Sequence, residues 1–294
     1  MSYLEGIAIT TGINIIAVLG VTLLLGFTGL FTFGHAAYMA VGAYVSALAS
    51  MKLGTPFPVS LLLGMIATVM CTIPVGYPTL RLRGDYFVIG TLGVSEIIIL
   101  LLENLDFITG GARGLPGIPI RTNLWNTMAL VILSIWLVRN FVTSRYGRNC
   151  IAVREDELAA GCIGIDTFRT KMLVLMVSGA LAGLAGGLLA HYVGLLHPRM
   201  FGIIRSTDLT IMVIFGGLGS ITGSVVATAV LSVLPEILRS AAEWRFVAYG
   251  VAVVVVMIMR PSGLLGYREL TAENLKRLVA LNAWRRRVRG QEVP

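Results

Sequence analysis

The sequence predicts an all-α fold, a polytopic bundle of membrane helices. Of its 294 residues, 56% are hydrophobic and 13% are charged, whereas soluble domains average about 25% charged residues. The polar residues are concentrated in two stretches, residues 139–171 and the tail that begins at residue 267. Because a membrane helix needs about 20 mostly apolar residues, we expect about eight to ten membrane segments, some of them short or broken.

Nine apolar stretches account for these segments. They are residues 7–25, 36–51, 59–77, 86–102, 125–142, 172–193, 209–219, 221–238 and 246–259. The first has no basic region before it and no small-residue cleavage site after it, so we expect a retained span rather than a removable signal peptide. Residues 209–219 are too short to cross a bilayer alone. Residues 26–34 are rich in glycine, and we expect a half-helix there that leads into the second stretch.

The cations predict the orientation of the chain. Of 23 Lys and Arg, six lie within residues 139–171 and eight within residues 260–289. Positively charged loops remain in the cytoplasm, so both stretches are expected there, and five crossings before the first would place the N-terminus outside. Residues 1–266 then form the transmembrane domain, with a cytoplasmic segment at residues 144–171, and residues 267–294 form a basic cytoplasmic tail. This distribution explains the net charge of +8 without a nucleic-acid partner.

A short helix is predicted within the central segment (residues 144–171). It covers residues 152–165 and would be roughly 20 Å long. Acidic residues near its start complement the helix dipole, and small residues after them leave room for a partner to approach. The residues concerned are Arg154, Glu155, Asp156, Glu157, Ala159, Ala160 and Gly164. We interpret this helix as a docking surface for a cytosolic partner; the alternative is a solvated amphipathic loop helix.

Few ionisable residues lie within the apolar stretches. Glu96 and Glu103 are seven residues apart, so they share one helix face. A charge within the bilayer is costly, and Glu96 either lines a pathway that meets a substrate ammonium group or makes a structural hydrogen bond. His35 is expected to bond a backbone carbonyl at a helix break, with a substrate contact as the alternative. His191 and His197 are expected to be exposed at the outer interface.

Two glycine-rich, interrupted stretches resemble each other. Residues 26–48 and residues 215–234 each combine an interrupted apolar run with a helix of small residues. Paired broken segments in two halves of a chain point to the midplane pathway of a transporter. The candidate pathway or gating residues in these two stretches are His35, Gly216, Gly217 and Gly219. Glu96 is a further candidate because it is ionisable and lies within an apolar stretch.

Regularly spaced glycines in the sixth apolar stretch indicate close helix packing. Gly179, Gly183 and Gly187 repeat every four residues, and such faces let helix backbones approach closely in a bilayer. Packing within this chain is favoured over a seam with a second subunit.

The sequence contains no arrangement of residues that would perform catalysis. None of Lys52, Lys171 and Lys276 is followed by Ser or Thr, so no phosphate-binding loop of the G-x-x-x-x-G-K-[ST] form is present. Cysteine pairs at zinc spacing are also absent, and the three cysteines are expected to be free thiols. We therefore expect no catalytic residue, no metal site and no cofactor in this chain.

Seven stretches in one order carry a family resemblance. They are GLFTFGHAAYMAVGAY, PTLRLRGDYFVIGTLGVSEI, TGGARGLPGIP, AVREDELAAGCIGIDTFRTK, SGALAGLAGGLLAHYVGLLHP, VIFGGLGSITGSVVATAV and RPSGLLG. Together, over about residues 28–266, they resemble the LivM-type permease subunits of branched-chain amino acid ABC importers. Glu157, Ala159, Ala160 and Gly164 look like the coupling-helix pattern of such permeases, although Leu158 here separates Glu157 from the two alanines.

The resemblance implies one subunit of a heteromeric importer for branched-chain, hydrophobic amino acids in the bacterial inner membrane. The implied partners are a second, LivH-like permease, two cytosolic ATP-binding subunits that would hold ATP and Mg, and a periplasmic substrate-binding protein. This chain would be multi-pass, with its C-terminus in the cytoplasm. A urea-type permease of the same superfamily and a stand-alone secondary transporter remain open as alternatives.

Overall fold

The computed structural model describes residues 3–237 together with residues 250 and 254. The α-helices are α1 (Tyr3–Val21), α2 (His35–Lys52), α3 (Phe57–Thr79), α4 (Asp85–Asn104), α5 (Asp106–Thr109), α6 (Leu124–Thr143), α7 (Arg145–Glu155), α8 (Glu157–Cys162), α9 (Thr167–Val193), α10 (Ile203–Gly216) and α11 (Ile221–Ile237). Helix α1 continues as a π-helix, Thr22–Phe27, and short 3-10 turns cover Gly111–Arg113 and Pro198–Phe201. Strands β1 (Leu115–Pro116) and β2 (Leu195–Leu196) pair antiparallel, with Leu115 opposite Leu196.

Within the residues that the structure describes, five helices are long and apolar enough to cross a membrane, which confirms the all-α, polytopic fold. They are α1 with its π-helical end, α3, α4, α6 and α9. In the described residues, each of the first eight predicted stretches overlaps a helix, although α10 begins at Ile203, six residues before its predicted start. The ninth stretch, residues 246–259, and the tail at residues 267–294 lie outside the described residues except for positions 250 and 254.

Helix α9 occupies the centre of the bundle, where it packs against α1, α2 and α3. Its glycines allow this packing. A Cβ atom added to Gly42 of α2 would lie 2.3 Å from the Cα atom of Gly183, and one added to Gly183 would lie 2.5 Å from Oγ1 of Thr68 in α3. Helices α2, α3 and α9 therefore cross with their backbones nearly in contact.

The expected half-helix at residues 26–34 is wrong, because only its first three residues are helical and they belong to the end of α1. The Thr28 hydroxyl donates to the Leu23 carbonyl at 2.9 Å, and the Leu30 amide donates to the Leu24 carbonyl at the same distance. These bonds close the end of the π-helix. Gly29 then adopts φ +73°, a left-handed conformation that turns the chain out of the helix. Residues 28–34, the first break, are consequently an irregular connection between α1 and α2.

The single helix predicted at residues 152–165 is also wrong, because the structure divides this region between α7 and α8. Asp156 has an extended backbone, with φ −157° and ψ +113°, and its carboxylate accepts hydrogen bonds from the amides of Leu158 and Ala159 at 2.8 and 3.0 Å. An aspartate in this arrangement is an N-cap, which ends one helix and starts the next. The acidic run thus creates a helix boundary.

Candidate functional site

The central segment contains the exposed helix α8 and the helix α7, one face of which is turned toward the bundle. On α8 and just after it, Leu158 and Ile163 are 74% and 76% exposed, which is unusual for large apolar side chains at a polar surface. Glu155, Asp156, Ala159 and Gly164 are also exposed, whereas Ala160 is buried. The structure therefore brings most of the predicted docking residues onto one accessible surface.

Two polar contacts attach the central segment to the bundle. The Arg154 guanidinium donates to the Gly26 carbonyl at 2.7 Å and also pairs with Glu155. Lys171, on the first turns of α9 and 8% exposed, pairs with Glu157 at 2.6 Å. The first contact reaches the end of α1, and the second reaches the central helix α9.

A cleft of about 720 Å³ separates parts of the central segment from neighbouring loops. Its lining includes Leu30 and Phe31 of the first break, Arg83 and Asp85 of the α3–α4 turn, and Glu157 of α8. Both signs of charge line the cleft, so it does not select an anion or a cation by charge alone.

His35 lies where four helices meet. It is the first residue of α2 and is 1% exposed, and its Nδ1 atom is 3.3 Å from the Ser178 hydroxyl of α9. The ring also interacts with the backbone of Ala17 and packs against Gly20, where an added Cβ atom would lie 2.7 Å from its Cε1 atom. The next amide, of Ala36, donates to the Ser206 hydroxyl of α10 at 3.2 Å. The start of α2 thus contacts α1, α9 and α10.

The glycines predicted for the pathway form a second break, residues 217–220, between α10 and α11. Gly217 and Gly219 have φ +109° and +88°, values that other residues rarely adopt. A Cβ atom on Gly216 would lie 2.6 Å from the carbonyl carbon of Gly223, and one on Gly26 would lie 2.9 Å from the Gly219 amide nitrogen. The two stretches that resemble each other in sequence therefore meet in space, at Gly26 and Gly219.

Glu96 and Glu103 lie apart from this meeting point. Glu103 accepts a hydrogen bond from Arg199 at 2.7 Å, and this bond, together with the weaker attraction of Glu96, raises the pKa of Arg199. The Glu103–Arg199 pair therefore lies at the end of α4 opposite the central segment, whereas Glu96 lies in the middle of α4. In the described part of the chain, no hydrogen bond or ion pair joins Glu96 to His35 or to the second break.

Sequence reasoning missed a polar cluster in the interior of the bundle. Arg205 of α10 donates to the Asn14 side-chain oxygen at 2.5 Å, and the Asn14 amide donates to the Ser232 hydroxyl of α11 at 3.0 Å. Asp208, one helical turn beyond Arg205, adds a partly buried carboxylate whose charge acts on the guanidinium. The signal was present, since Asn14 interrupts an apolar stretch, but both charges precede residue 209, where the seventh stretch was predicted to begin.

The exposure expected for His191 is wrong. His191 is fully buried; its Nδ1 atom is 2.9 Å from the Pro119 carbonyl and its Nε2 atom is 3.3 Å from the Ser46 hydroxyl. The loop after β1 covers it, and Thr122 fixes that loop by donating to the Leu188 carbonyl. His197 is partly buried.

The predicted packing glycines of α9 all face this chain's own helices. Gly179 approaches Thr72, Gly183 approaches Gly42, and Gly187 approaches Leu61.

Among the described residues, no three metal-ligating side chains gather into a cluster.

Comparison with known proteins places these features in a family. Residues 3–260 match the family model described as "Branched-chain amino acid transport system / permease component". The chain is 33% identical to the high-affinity branched-chain amino acid transport system permease protein LivM of Salmonella typhimurium, and to that of Escherichia coli, over 88% of this chain and 69% of each relative. It is 28% identical to a probable branched-chain amino acid transport permease protein LivH of Methanocaldococcus jannaschii, over 94% and 95% of the two chains. No solved structure matches.

Proposed function

Because this chain belongs to the family of permease components of branched-chain amino acid transport systems, we propose that it is a membrane-spanning subunit of an ABC importer for branched-chain, hydrophobic amino acids. The observation that carries this proposal is the family match across residues 3–260, which spans every described helix. The chain is a multi-pass membrane protein of a transporter family, and its part in the reaction is to provide the path for the solute.

The proposed importer has four further components. A periplasmic binding protein delivers the amino acid to the outer face, a second LivH-like permease completes the membrane domain, and two cytosolic subunits bind ATP and Mg. This chain then needs no cofactor of its own. The similarity of the chain to both LivM and LivH proteins, which are named permease proteins of the same kind of system, supports a paired arrangement of related permeases in the bilayer.

We assign ATPase docking to the exposed face of the central segment. Leu158 and Ile163 offer apolar contacts, and Glu155 and Asp156 offer charged ones around them. An apolar centre with a polar rim is the usual composition of a protein interface. Ala160, being buried, supports α8 from below instead of touching the partner.

The solute path belongs near the meeting point of the two breaks. His35, Gly216, Gly217 and Gly219 contribute to that region, and half-helices that end inside a bundle form the substrate sites of many transporters. Residues 1–266 would be the permease domain of an inner-membrane protein. The basic tail, residues 267–294, would lie in the cytoplasm, where anionic lipid attracts clustered Lys and Arg.

Co-purification tests the assembly. The chain is isolated from native membranes in gentle detergent, as wild type and as Leu158→Asp and Ile163→Asp, with Phe107→Asp as the control, because Phe107 is 95% exposed on α5, away from the central segment. We expect ATP-binding subunits to accompany wild type and the control, and to be lost from the two α8 variants. A wild-type chain that purifies alone would contradict the ABC assembly and favour a secondary transporter, with Glu96 as its next candidate residue.

Uptake tests the substrate. Cells that lack their own branched-chain amino acid importers, supplied with the complete set of subunits, are expected to accumulate labelled leucine and not labelled urea. Uptake of urea without leucine would assign the chain to the urea-type permeases instead.

A further inference from the structure

Arg154 differs from the other arginines of the central segment because one nitrogen of its guanidinium, Nη1, bonds to a distant helix of the bundle. Its side chain is 22% exposed, whereas that of the adjacent Glu155 is 67% exposed. Nη1 donates to the Gly26 carbonyl at 2.7 Å, across 128 residues of sequence. A docking role alone does not require this contact, since it consumes the group that a partner would meet.

The contact is made at the end of α1, where a donor is needed. The last carbonyls of a helix have no partner within that helix, and a cation beside them is favoured by the helix dipole. Gly26 lies in the last turn of the π-helix that extends α1. The guanidinium therefore binds the point at which the first break begins.

Two further contacts of α7 reach the same break. A Cβ atom on Gly29 would lie 3.0 Å from the Arg154 Cγ atom, so the arginine stem packs directly on the turn. Cys150 is four residues before Arg154 on the same helix face; it is 1% exposed and interacts with the Thr28 side chain. Helix α7 thus holds the first break at Gly26, Thr28 and Gly29.

The held region is in contact with the second break and with the start of α2. Gly26 packs on the Gly219 backbone, and the chain beyond Gly29 runs to His35, which touches Ser178. The 720 Å³ cleft lies between the break and the central segment, and Leu30 and Phe31 line it together with Arg154. The break is therefore attached to α7 at its start and borders free volume at Leu30 and Phe31, an arrangement that leaves room for it to be displaced.

We propose that Arg154 is a positioning residue that transmits displacement of the central segment to the first break, and so couples ATP turnover in the partner subunits to rearrangement of the α1–α2 junction. This inference rests on the proposed function. The role of Arg154 is thereby separated from that of Leu158 and Ile163: the exposed pair binds the partner, and the partly buried guanidinium carries the movement inward.

The test compares Arg154→Ala with Arg148→Ala in the complete importer reconstituted in proteoliposomes. Arg148 is a matched control because it is exposed on the same helix and its guanidinium also donates to a backbone carbonyl, that of Thr143, only five residues earlier in the chain. We expect Arg154→Ala to co-purify with the ATP-binding subunits and to hydrolyse ATP, while leucine uptake per ATP falls at least tenfold. Arg148→Ala is expected to remain within twofold of wild type.

A distance measurement separates transmission from simple support. Spin labels are placed at Phe31→Cys in the first break and Phe107→Cys at the opposite end, in a chain with Cys71→Ser, Cys150→Ser and Cys162→Ser. Trapping the nucleotide-bound state is expected to shift this distance in wild type and in Arg148→Ala, but not in Arg154→Ala. Arg154→Lys, which keeps a cationic donor, is expected to restore part of the shift.

Three results would overturn the inference. They are unchanged uptake per ATP in Arg154→Ala, an unchanged distance shift in that variant, and loss of ATPase co-purification by Arg154→Ala to the extent seen with Leu158→Asp. Failure of the proposed function would be recognised separately, because the wild-type chain itself would then lack ATP-binding partners.

Discussion

The two breaks in the bundle are close together but are built by different means. The first break is held by side chains that come from elsewhere in the chain, above all Arg154, whose guanidinium binds the Gly26 carbonyl. The second break is held within its own stretch of chain, chiefly by backbone, through the left-handed Gly217 and Gly219 and the contact of Gly216 with Gly223; the Ser220 hydroxyl adds a local bond by accepting from the Gly223 amide at 3.0 Å. Side-chain contacts can be exchanged during a reaction cycle, whereas close-packed backbones resist change. We therefore expect the first break to move during the reaction cycle and the second break to stay fixed as its support.

The largest expected effect comes from filling the contact at the second break. In Gly216→Ala the new methyl group would meet the Gly223 backbone at 2.6 Å, and overpacking against atoms that cannot move costs about 3 kcal/mol, the upper part of the usual range. Denaturation in detergent measures the loss. The control is Gly93→Ala in α4, where the added atom meets nothing within 4 Å and alanine is intrinsically better in a helix by about 1 kcal/mol. Equal stability of the two variants would show that the backbone packing at the second break is not rigid, and the two breaks would then not differ in the way described.

The next effect concerns the polar cluster that joins α1 to α10 and α11, the helices next to the two breaks. Asn14 on α1 binds both Arg205 on α10 and Ser232 on α11. Asn14→Leu leaves the buried guanidinium without this acceptor, which costs about 2 kcal/mol for an unsatisfied buried group. Thermal unfolding of the purified chain measures it. Asn104→Leu is the control, since Asn104 is exposed and bonds only within its own helix, to Leu100; a similar loss in both would show that the cluster adds nothing.

A smaller effect on stability, with a larger one on coupling, is expected at Gly29. Gly29→Ala strains a backbone at φ +73° and presses on the Arg154 stem; the strain alone costs about 1–2 kcal/mol. Gly54→Ala is a close control, because Gly54 has φ +61° and open space around it. Both variants should lose similar stability, but only Gly29→Ala should lower leucine uptake per ATP. If Gly54→Ala lowered this ratio equally, the first break would have no special role.

The smallest effect is kinetic and sharpens the description of the first break. Cys150 is 1% exposed and burial raises the pKa of its thiol to about 11, so little reactive thiolate is present below that pH. Cys162 is exposed and should react with a maleimide at neutral pH long before Cys150, with the Cys150 rate increasing as the pH is raised toward 11. Arg154→Ala should speed labelling of Cys150 by loosening α7 from the break. Mass spectrometry of timed samples gives both rates, and an unchanged Cys150 rate would show that Arg154 does not hold this contact.

The sequence allowed the spans to be predicted because apolar composition alone defines them. It did not reveal the helix boundary at Asp156. An acidic residue near the start of a helix gives the same sequence pattern whether it caps the helix or lies in its first turn. The first break was misread for a related reason: the bonds of Thr28 to Leu23 and of Arg154 to Gly26 decide it, and the second of these is invisible without the tertiary fold.

Burial was the property least accessible from sequence. His191 was expected to be exposed because it is near the end of a span, but the loop around Pro119 folds back over it. Arg205 and Asp208 were passed over because charged residues before an apolar stretch resemble an ordinary interface. Close approaches such as Gly26 to Gly219 depend on which segments meet, and only the repeated pattern of the two stretches hinted at that pairing.

The loop over His191 has a mechanical consequence for the whole subunit. Ile118 donates to the Gly194 carbonyl, Thr122 donates to the Leu188 carbonyl, and Leu115 pairs with Leu196. These bonds hold the last turn of α9 to its surroundings, mostly through backbone groups. The first turn of α9 is held by side chains instead, through the pair Lys171–Glu157 and the Phe168 ring, whose centroid lies 5.7 Å from that of Tyr77. Because side-chain contacts exchange more readily than paired backbone groups, displacement of the central segment would move the first turn of α9 more than its last.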